Sequence, residues 1–499
     1  MPISVQIQPT KVPLPLWPRT DNHQKRAIKR GNIEKQQNRM AKADCSSLWI
    51  SSCPLFLRRH LNRLQASPVG YRLAKGAFWS LIGTSISRVL ALGSSIIVAR
   101  MLGKSSFGQL GIIQSTVGMF GVFAGMALGL TVNKYVAEFR AKDRAKAGGI
   151  IILSNSLALV SGTAMAILLM IFAPWLSRHT LAAPQLARPL AISSLVLLFS
   201  AVAGTQTGAL AGFEAFKEIA RINFLSGLTT VPLMVGGAWL MGLNGAVWGL
   251  VGSQAIIWAL SFFGVRKEAR RAGVPLRQRT HAREWSLLWQ FSLPAVLGSV
   301  MIIPADWLCN AMLVNQPHGF AQMGLLSAAN QWYYALLFLP GVLGQASLPV
   351  FSERHGQRNI SDVIRILSLS TKINAAVAAP LVVLGSLASP YIMAFYGKNF
   401  IEGWPTMVVV LVTAGLVAIQ TPAAQILTAF GRMWVLSAMN FCWACCFLSL
   451  TYLLVHHGSI GLVTARMIAH VLHTGWLFAV VAALMRTRRR QDGYSLARG

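Results

Sequence analysis

Three basic side chains near the C-terminal end of the sequence, Arg466, His470 and His473, stand at i, i+4 and i+7 inside a long apolar run. That spacing puts them on one face of a helix. A face of this kind is too costly to turn toward lipid, so it must face protein or water. Histidine titrates near neutrality, so the trio could hold a phosphate or carry protons; hydrogen bonds between packed helices are the plainer use. Arg88 lies twelve residues into the first apolar run. A guanidinium stays charged and donates in pairs to phosphate oxygens, which suits a cavity cation. A packing cation tied to backbone or to a carboxylate is the alternative. Asp306 is the acid placed well inside a run, either as half of a structural ion pair or as a gating or ion-coupling carboxylate. Pro294 and Pro304 bracket its segment, and a proline bends a helix by removing one of its hydrogen bonds, as a moving gate would require. Lys372 lies about one turn inside another run, from which its long stem can snorkel to the interface.

Other chemistries lack their signatures. Gly103-Lys104-Ser105 ends like a phosphate-binding loop, but Val98 occupies the leading glycine position, and an apolar run rather than a strand precedes it. There is no HExxH, no paired-carboxylate loop and no Gly-x-Ser-x-Gly elbow. Of the six cysteines, Cys45 and Cys53 precede the apolar runs, whereas Cys309, Cys442, Cys445 and Cys446 lie within them. Cys442-x-x-Cys445-Cys446 has no second Cys or His pair to complete a metal site, so small packing residues are the better account. No metal, no cofactor and no enzymatic activity is expected.

The elements that position these residues are set by composition. The 499 residues are 54% hydrophobic and 12% charged, with a formal net charge of +31. A soluble protein carries about twice that charged fraction. The apolar runs are about 20 residues or longer, enough to cross a bilayer core about 30 Å thick as helices. They are too long for barrel strands of about 10 residues, and they lack apolar/polar alternation. Twelve spans are expected, near 76–102, 109–132, 149–173, 189–212, 222–241, 245–265, 285–313, 323–350, 367–393, 404–427, 433–455 and 460–485. Loops after even-numbered spans are basic, with Lys134, Arg140, Lys142, Arg144 and Lys146 after the second, and Arg266 to Arg283 after the sixth. Loops after odd-numbered spans carry only Lys104, Arg178, Arg188 and Lys398. Retention of basic loops in the cytoplasm puts both termini there. It also explains most of the net charge without a nucleic-acid partner. Residues 1–75, with fourteen Lys/Arg and repeated prolines, read as a basic, disordered cytoplasmic tail. A linker at 266–284 and a basic tail at 486–499 complete the division into 76–265 and 285–485. Trp175, Trp285, Trp289 and Trp404 near span ends suit an interfacial aromatic belt.

The two halves repeat. Phe107-Gly108-Gln109-Leu110-Gly111 matches Phe320-Ala321-Gln322-Met323-Gly324, 213 residues on. Phe213 and the pair Asn223-Phe224 match Phe430 and Asn440-Phe441, 217 residues on. Gly242-x-x-Gly245-Ala246-Val247 matches Gly458-x-x-Gly461-Leu462-Val463, 216 residues on. A near-constant offset at matching junctions implies two six-helix units. Six spans separate the copies, so both units share one orientation, an arrangement found in transporters with the substrate path between halves. Asp306 and Arg88 would then stand on equivalent helices, where they can meet across the cleft.

At Ala99-Arg100-Met101-Leu102-Gly103 leading into Phe107-Gly108, and at Gly324-Leu325-Leu326-Ser327-Ala328-Ala329 running to Leu339-Pro340 and Leu348-Pro349, the chain resembles a family. This is the Wzx-type polysaccharide and oligosaccharide flippases of the multidrug/oligosaccharidyl-lipid/polysaccharide exporter superfamily. Leu326 stands where members often carry tyrosine. The resemblance implies an all-α integral membrane protein of two six-helix bundles forming a V, in a bacterial inner membrane. It implies alternating-access movement of an undecaprenyl-pyrophosphate-linked oligosaccharide from the inner to the outer leaflet. Membrane lipids, a polysaccharide polymerase and glycosyltransferases are the partners it suggests. On this reading Arg88, Arg466, His470 and His473 hold the pyrophosphate and sugars in a strongly positive cavity, with Asp306, Pro294 and Pro304 gating. A cation-coupled multidrug antiporter of the same superfamily is one alternative, and a non-transporting membrane enzyme or scaffold of a glycan assembly complex is another.

Overall fold

A computed structural model describes residues 68–276, 301–356 and 360–496. Gly76–Gly499 form one compact unit. The expected basic tail up to residue 67, the linker beyond Leu276, Pro294, Trp285, Trp289 and the last three residues lie outside the described residues.

The described residues form helices and no strand. In order they are α1 (Pro68–Gly125), α2 (Leu128–Phe139), α3 (Arg144–Trp175), α4 (Ala187–Ser193), α5 (Leu195–Gly212) and α6 (Phe216–Ala272) in the first half of the chain. The second half gives α7 (Ile302–Val314), α8 (Gly319–Gly356), α9 (Ile360–Leu387), α10 (Ser389–Tyr396), α11 (Trp404–Ala429), α12 (Met433–Leu454) and α13 (Ser459–Leu496). Eight of the described helices are long and apolar enough to cross a membrane. Two of these runs hold 57 residues each, about 85 Å at 1.5 Å per residue, far more than one bilayer crossing.

Each long run is broken by non-helical backbone. In α1 the break is Gly103, at φ 72 and ψ 169, and the small pocket that joins Ser94 and Ser95 to Gly111 and Gln114 shows the two arms lying side by side. In α6 the breaks are Met241 and Gly242, and the arms run antiparallel, with Gly237 against Gly245 and Leu233 against Gly249. Gly242, at φ 58 and ψ −131, has a repeat partner in Gly458, at φ 71 and ψ −144, so both copies turn with one backbone shape. L-residues with a β-carbon essentially avoid that region. The second glycine of each copy does a different job. A β-carbon on Gly245 would lie 1.8 Å from the Gly237 carbonyl oxygen, and one on Gly461 1.8 Å from that of Leu454.

One expected span is not continuous. The run at 109–132 breaks where Met126 and Ala127 take positive φ of 43° and 51°, and α2 begins after them. Basic ends are tied locally: Arg140 pairs with Glu214, Lys267 with Glu218 at 2.9 Å, and the Asp143 carboxylate accepts from Lys146 N–H at 3.0 Å to cap α3. Trp175 and Trp404 are both exposed near helix ends. Lys372 is exposed on α9.

Candidate functional site: a polar cavity beside the junction of the halves

The halves meet through the repeated segments themselves. Gly108 faces the Phe320 carbonyl and Gly324, and Gly324 faces the Lys104 carbonyl, so the two Phe-x-Gln-x-Gly copies cross backbone to backbone. The Phe107 ring packs on Tyr396 and Phe400, with centroids 6.4 and 6.0 Å away. Around this crossing Lys104 pairs with Glu402 at 2.6 Å, Arg100 donates to the Phe395 carbonyl at 2.5 Å, and Asn315 donates to the Thr180 carbonyl at 2.7 Å. About two turns deeper, Trp307 Nε1 donates to Thr116 Oγ1 at 2.9 Å, and Asn310 Nδ2 donates to Ser115 Oγ at 3.1 Å. The junction therefore clusters around the Gly103 turn.

Below it opens a cavity of about 590 Å³, within the size range of small-ligand sites. Helix α13 brings Arg466, His470 and His473, and α7 brings Asp306 and Asn310. Arg466 is buried; its Nη2 donates to Asn330 Oδ1 at 3.0 Å, and its guanidinium lies over the Tyr333 ring at 5.1 Å. His470 packs against the Trp443 ring at 5.0 Å. His473 Nδ1 lies 3.2 Å from Gln420 Oε1, which also accepts from Thr474 at 2.7 Å. Asp306 accepts from Asn310 at 3.2 Å and interacts with the Arg466 charge. Arg466 Nε, His470 Nδ1, His473 Nε2 and Trp443 Nε1 are buried without a hydrogen-bond partner in the described protein. Buried polar groups of this kind are costly unless something satisfies them. Toward α1, Gly111, Gln114, Ser327 and Gln331 are shared with a further pocket of about 150 Å³.

Four of the residues singled out in the sequence thus come together: Arg466, His470, His473 and Asp306. Arg88 does not join them. It donates through Nη1 to the Tyr334 carbonyl at 2.9 Å and lies over the Phe338 ring at 4.8 Å, exposed and outside the cavity lining. The expected meeting of Arg88 with Asp306 is therefore not seen, because α1 sets Arg88 against the Tyr334 carbonyl and the Phe338 ring of α8. Pro304 sits in the first described turn of α7, and the residues just before Met301, Pro294 among them, lie outside the described residues. Nor is the cavity strongly positive. Among the described lining residues the Arg, Lys, Asp and Glu side chains come to one arginine and one aspartate.

Sequence reasoning passed over the amides and rings: Asn310, Asn330, Gln331, Gln420 and Asn440, with Tyr333, Tyr334 and Trp443. Their signal was present, since a carboxamide inside an apolar run also needs a partner. Among the described residues no group of three His, Cys, Asp or Glu could hold a metal ion.

Residues 73–355 match the family described as "Polysaccharide biosynthesis protein". The chain is 30% identical over 189 residues to the "EPS I polysaccharide export inner membrane protein EpsE" of Ralstonia solanacearum. That match covers 37% of this chain and 43% of the relative, so it spans less than half of that relative's length. A "Putative O-antigen transporter" of Shigella flexneri is 22% identical over 433 residues, 81% of this chain and 97% of its own. In fold the chain is similar to the inward-facing conformation of a multidrug resistance MATE family transporter of the MOP superfamily. The TM-score is 0.68 at 15% identity, over 82% of this chain and 99% of that one. An outward-facing MATE family structure gives 0.64 at 16% identity, over 84% and 96%. With more than half of its length matched, the chain belongs to the polysaccharide biosynthesis protein family.

Proposed function

We propose that this protein is a flippase that moves an undecaprenyl-pyrophosphate-linked oligosaccharide from the inner to the outer leaflet by alternating access. The observation that carries the reading is the polar cavity holding Arg466, Asp306, His470 and His473 within an apolar helical body, beside a closed junction of the two halves. The names of the relatives, a polysaccharide export protein and an O-antigen transporter, support a lipid-linked glycan as cargo. Twelve spans in two six-helix bundles follow from treating each long run as two crossings and α7 as the end of a span that begins near 285. If basic loops stay in the cytoplasm, the junction at Gly103 closes the outer side and the cavity opens inward. The glycan would enter the cavity while the prenyl chain stays in lipid. Arg88, exposed between α1 and α8, would meet the pyrophosphate outside the cavity.

The test is leaflet translocation in liposomes, following access of a lipid-linked oligosaccharide to an outside-only glycan probe. Protein-dependent movement that is lost in Arg466→Ala establishes the cavity as the path. A second reading, a cation-coupled multidrug antiporter, is favoured by Asp306, a carboxylate in the cavity of a MATE-like fold. Efflux of cationic dyes without glycan movement would select it. A scaffold role would leave glycan assembly intact when the cavity side chains are removed.

A further inference from the structure

We infer that the saccharide this cavity accepts is uncharged, so that the chain selects lipid-linked glycans whose sugars carry hydroxyl and acetamido groups rather than carboxylates. The inference rests on the flippase reading above and narrows it to a substrate class. Its first ground is charge balance. Arg466 and Asp306 are the arginine and the one carboxylate-bearing residue lining the cavity among the described residues, with no lysine or glutamate beside them. An acidic sugar would meet Asp306 in a place where like charges are poorly screened. Arg466 could offset that repulsion only in part, since its Nη2 is held on Asn330 and its face lies on Tyr333.

The second ground is what replaces charge. Gln114, Asn310, Asn330, Gln331, Gln420 and Asn440 all line the cavity. A carboxamide both donates and accepts, which matches hydroxyl and acetamido groups. Tyr333, Tyr334 and Trp443 present rings, large flat apolar faces with a polar edge on which the C–H faces of a pyranose can lie. Arg466 Nε and Trp443 Nε1 add buried donors without a protein partner. Bonding to neutral groups uses these donors without placing a new charge in a buried site. Protonating His470 and His473 would put a second and a third positive charge beside Arg466, which repels both.

The test uses the full chain in liposomes and two polyprenyl-pyrophosphate trisaccharides that differ at one sugar, glucose in one and glucuronic acid in the other. The neutral form should cross at least tenfold faster, and Asp306→Asn should narrow that ratio. Equal rates, or faster movement of the acidic form, overturn the inference. If neither form moves, the flippase reading fails. The inference is then decided by calorimetric binding of the two free trisaccharides to detergent-solubilised protein. Tighter binding of the neutral sugar upholds it, and equal or tighter binding of the acidic one overturns it.

Discussion

Gly108 and Gly324 face each other where the repeated segments cross: a β-carbon on Gly108 would lie 1.8 Å from the Phe320 carbonyl oxygen and 2.7 Å from the Gly324 nitrogen. Backbone fills both positions, so no rotamer change can make room. Gly108→Val should therefore force the crossing apart, at the ~1–3 kcal/mol typical of overpacking. Most of that penalty should fall on the conformation in which this end is closed. The expected result is a shift of about tenfold or more toward the state open at the Gly103 turn, with transport lost. Thiol labelling of Ser327→Cys from that side, in a cysteine-free background, checks it; unchanged labelling would show that the crossing is not the closed gate.

A second lock lies about two turns deeper, where Trp307 on α7 donates to Thr116 and Asn310 donates to Ser115. Trp307 and Thr116 are both buried, and Thr116 in turn donates to the Ile112 carbonyl at 2.8 Å. Thr116→Val leaves the indole N–H buried and unpartnered, at about 1–3 kcal/mol. Trp307→Phe alone removes the donor but also a volume of ring. In a thermal-unfolding double-mutant cycle the pair should lose less than the sum of the singles. Strict additivity would mean that the two side chains are not energetically coupled.

How much of this was legible in the sequence depends on the kind of signal. The glycine pairs 242/245 and 458/461 were readable because a turn and a tight crossing each demand that residue, and the structure gives both copies the same geometry. The spacing of Arg466, His470 and His473 named a shared face, and the structure puts that face in a cavity. Arg88 shows the limit. Depth in a span indicates that a cation needs a partner, but not whether the partner is a cavity or, as here, the Tyr334 carbonyl. The break at Met126 and Ala127 left no trace because neither residue is a glycine or proline.

The Lys104–Glu402 pair should matter little by itself. Its side chains are 32% and 53% exposed, and such pairs contribute about 0.2–1 kcal/mol and are screened by salt. Lys104→Glu is expected to move the gate equilibrium by at most about fivefold, less at high ionic strength. Lys104→Glu with Glu402→Lys should restore it. The same Ser327→Cys labelling reads the change, and a far larger effect would promote this pair from trim to latch.

Arg466 is where stability and transport should separate. The side chain is 6% exposed, and it is the cation that lines the same cavity as Asp306. Removing it takes the one guanidinium out of that cavity and leaves Asn330 Oδ1 without its donor, at a cost of about 1–3 kcal/mol. Arg466→Ala should therefore lower the midpoint of thermal unfolding and abolish translocation. Arg466→Lys keeps the charge but not the planar group that spans Asn330 and the Tyr333 ring, so it should recover stability more than transport. The decisive variant is Arg466→Ala with Asp306→Asn. Neutralising both charges should return part of the lost stability, because no lone charge then lines the cavity, while translocation stays low for want of the guanidinium. If transport returned with stability, Arg466 would be a structural counter-ion and the cargo would be held by the amides and rings alone.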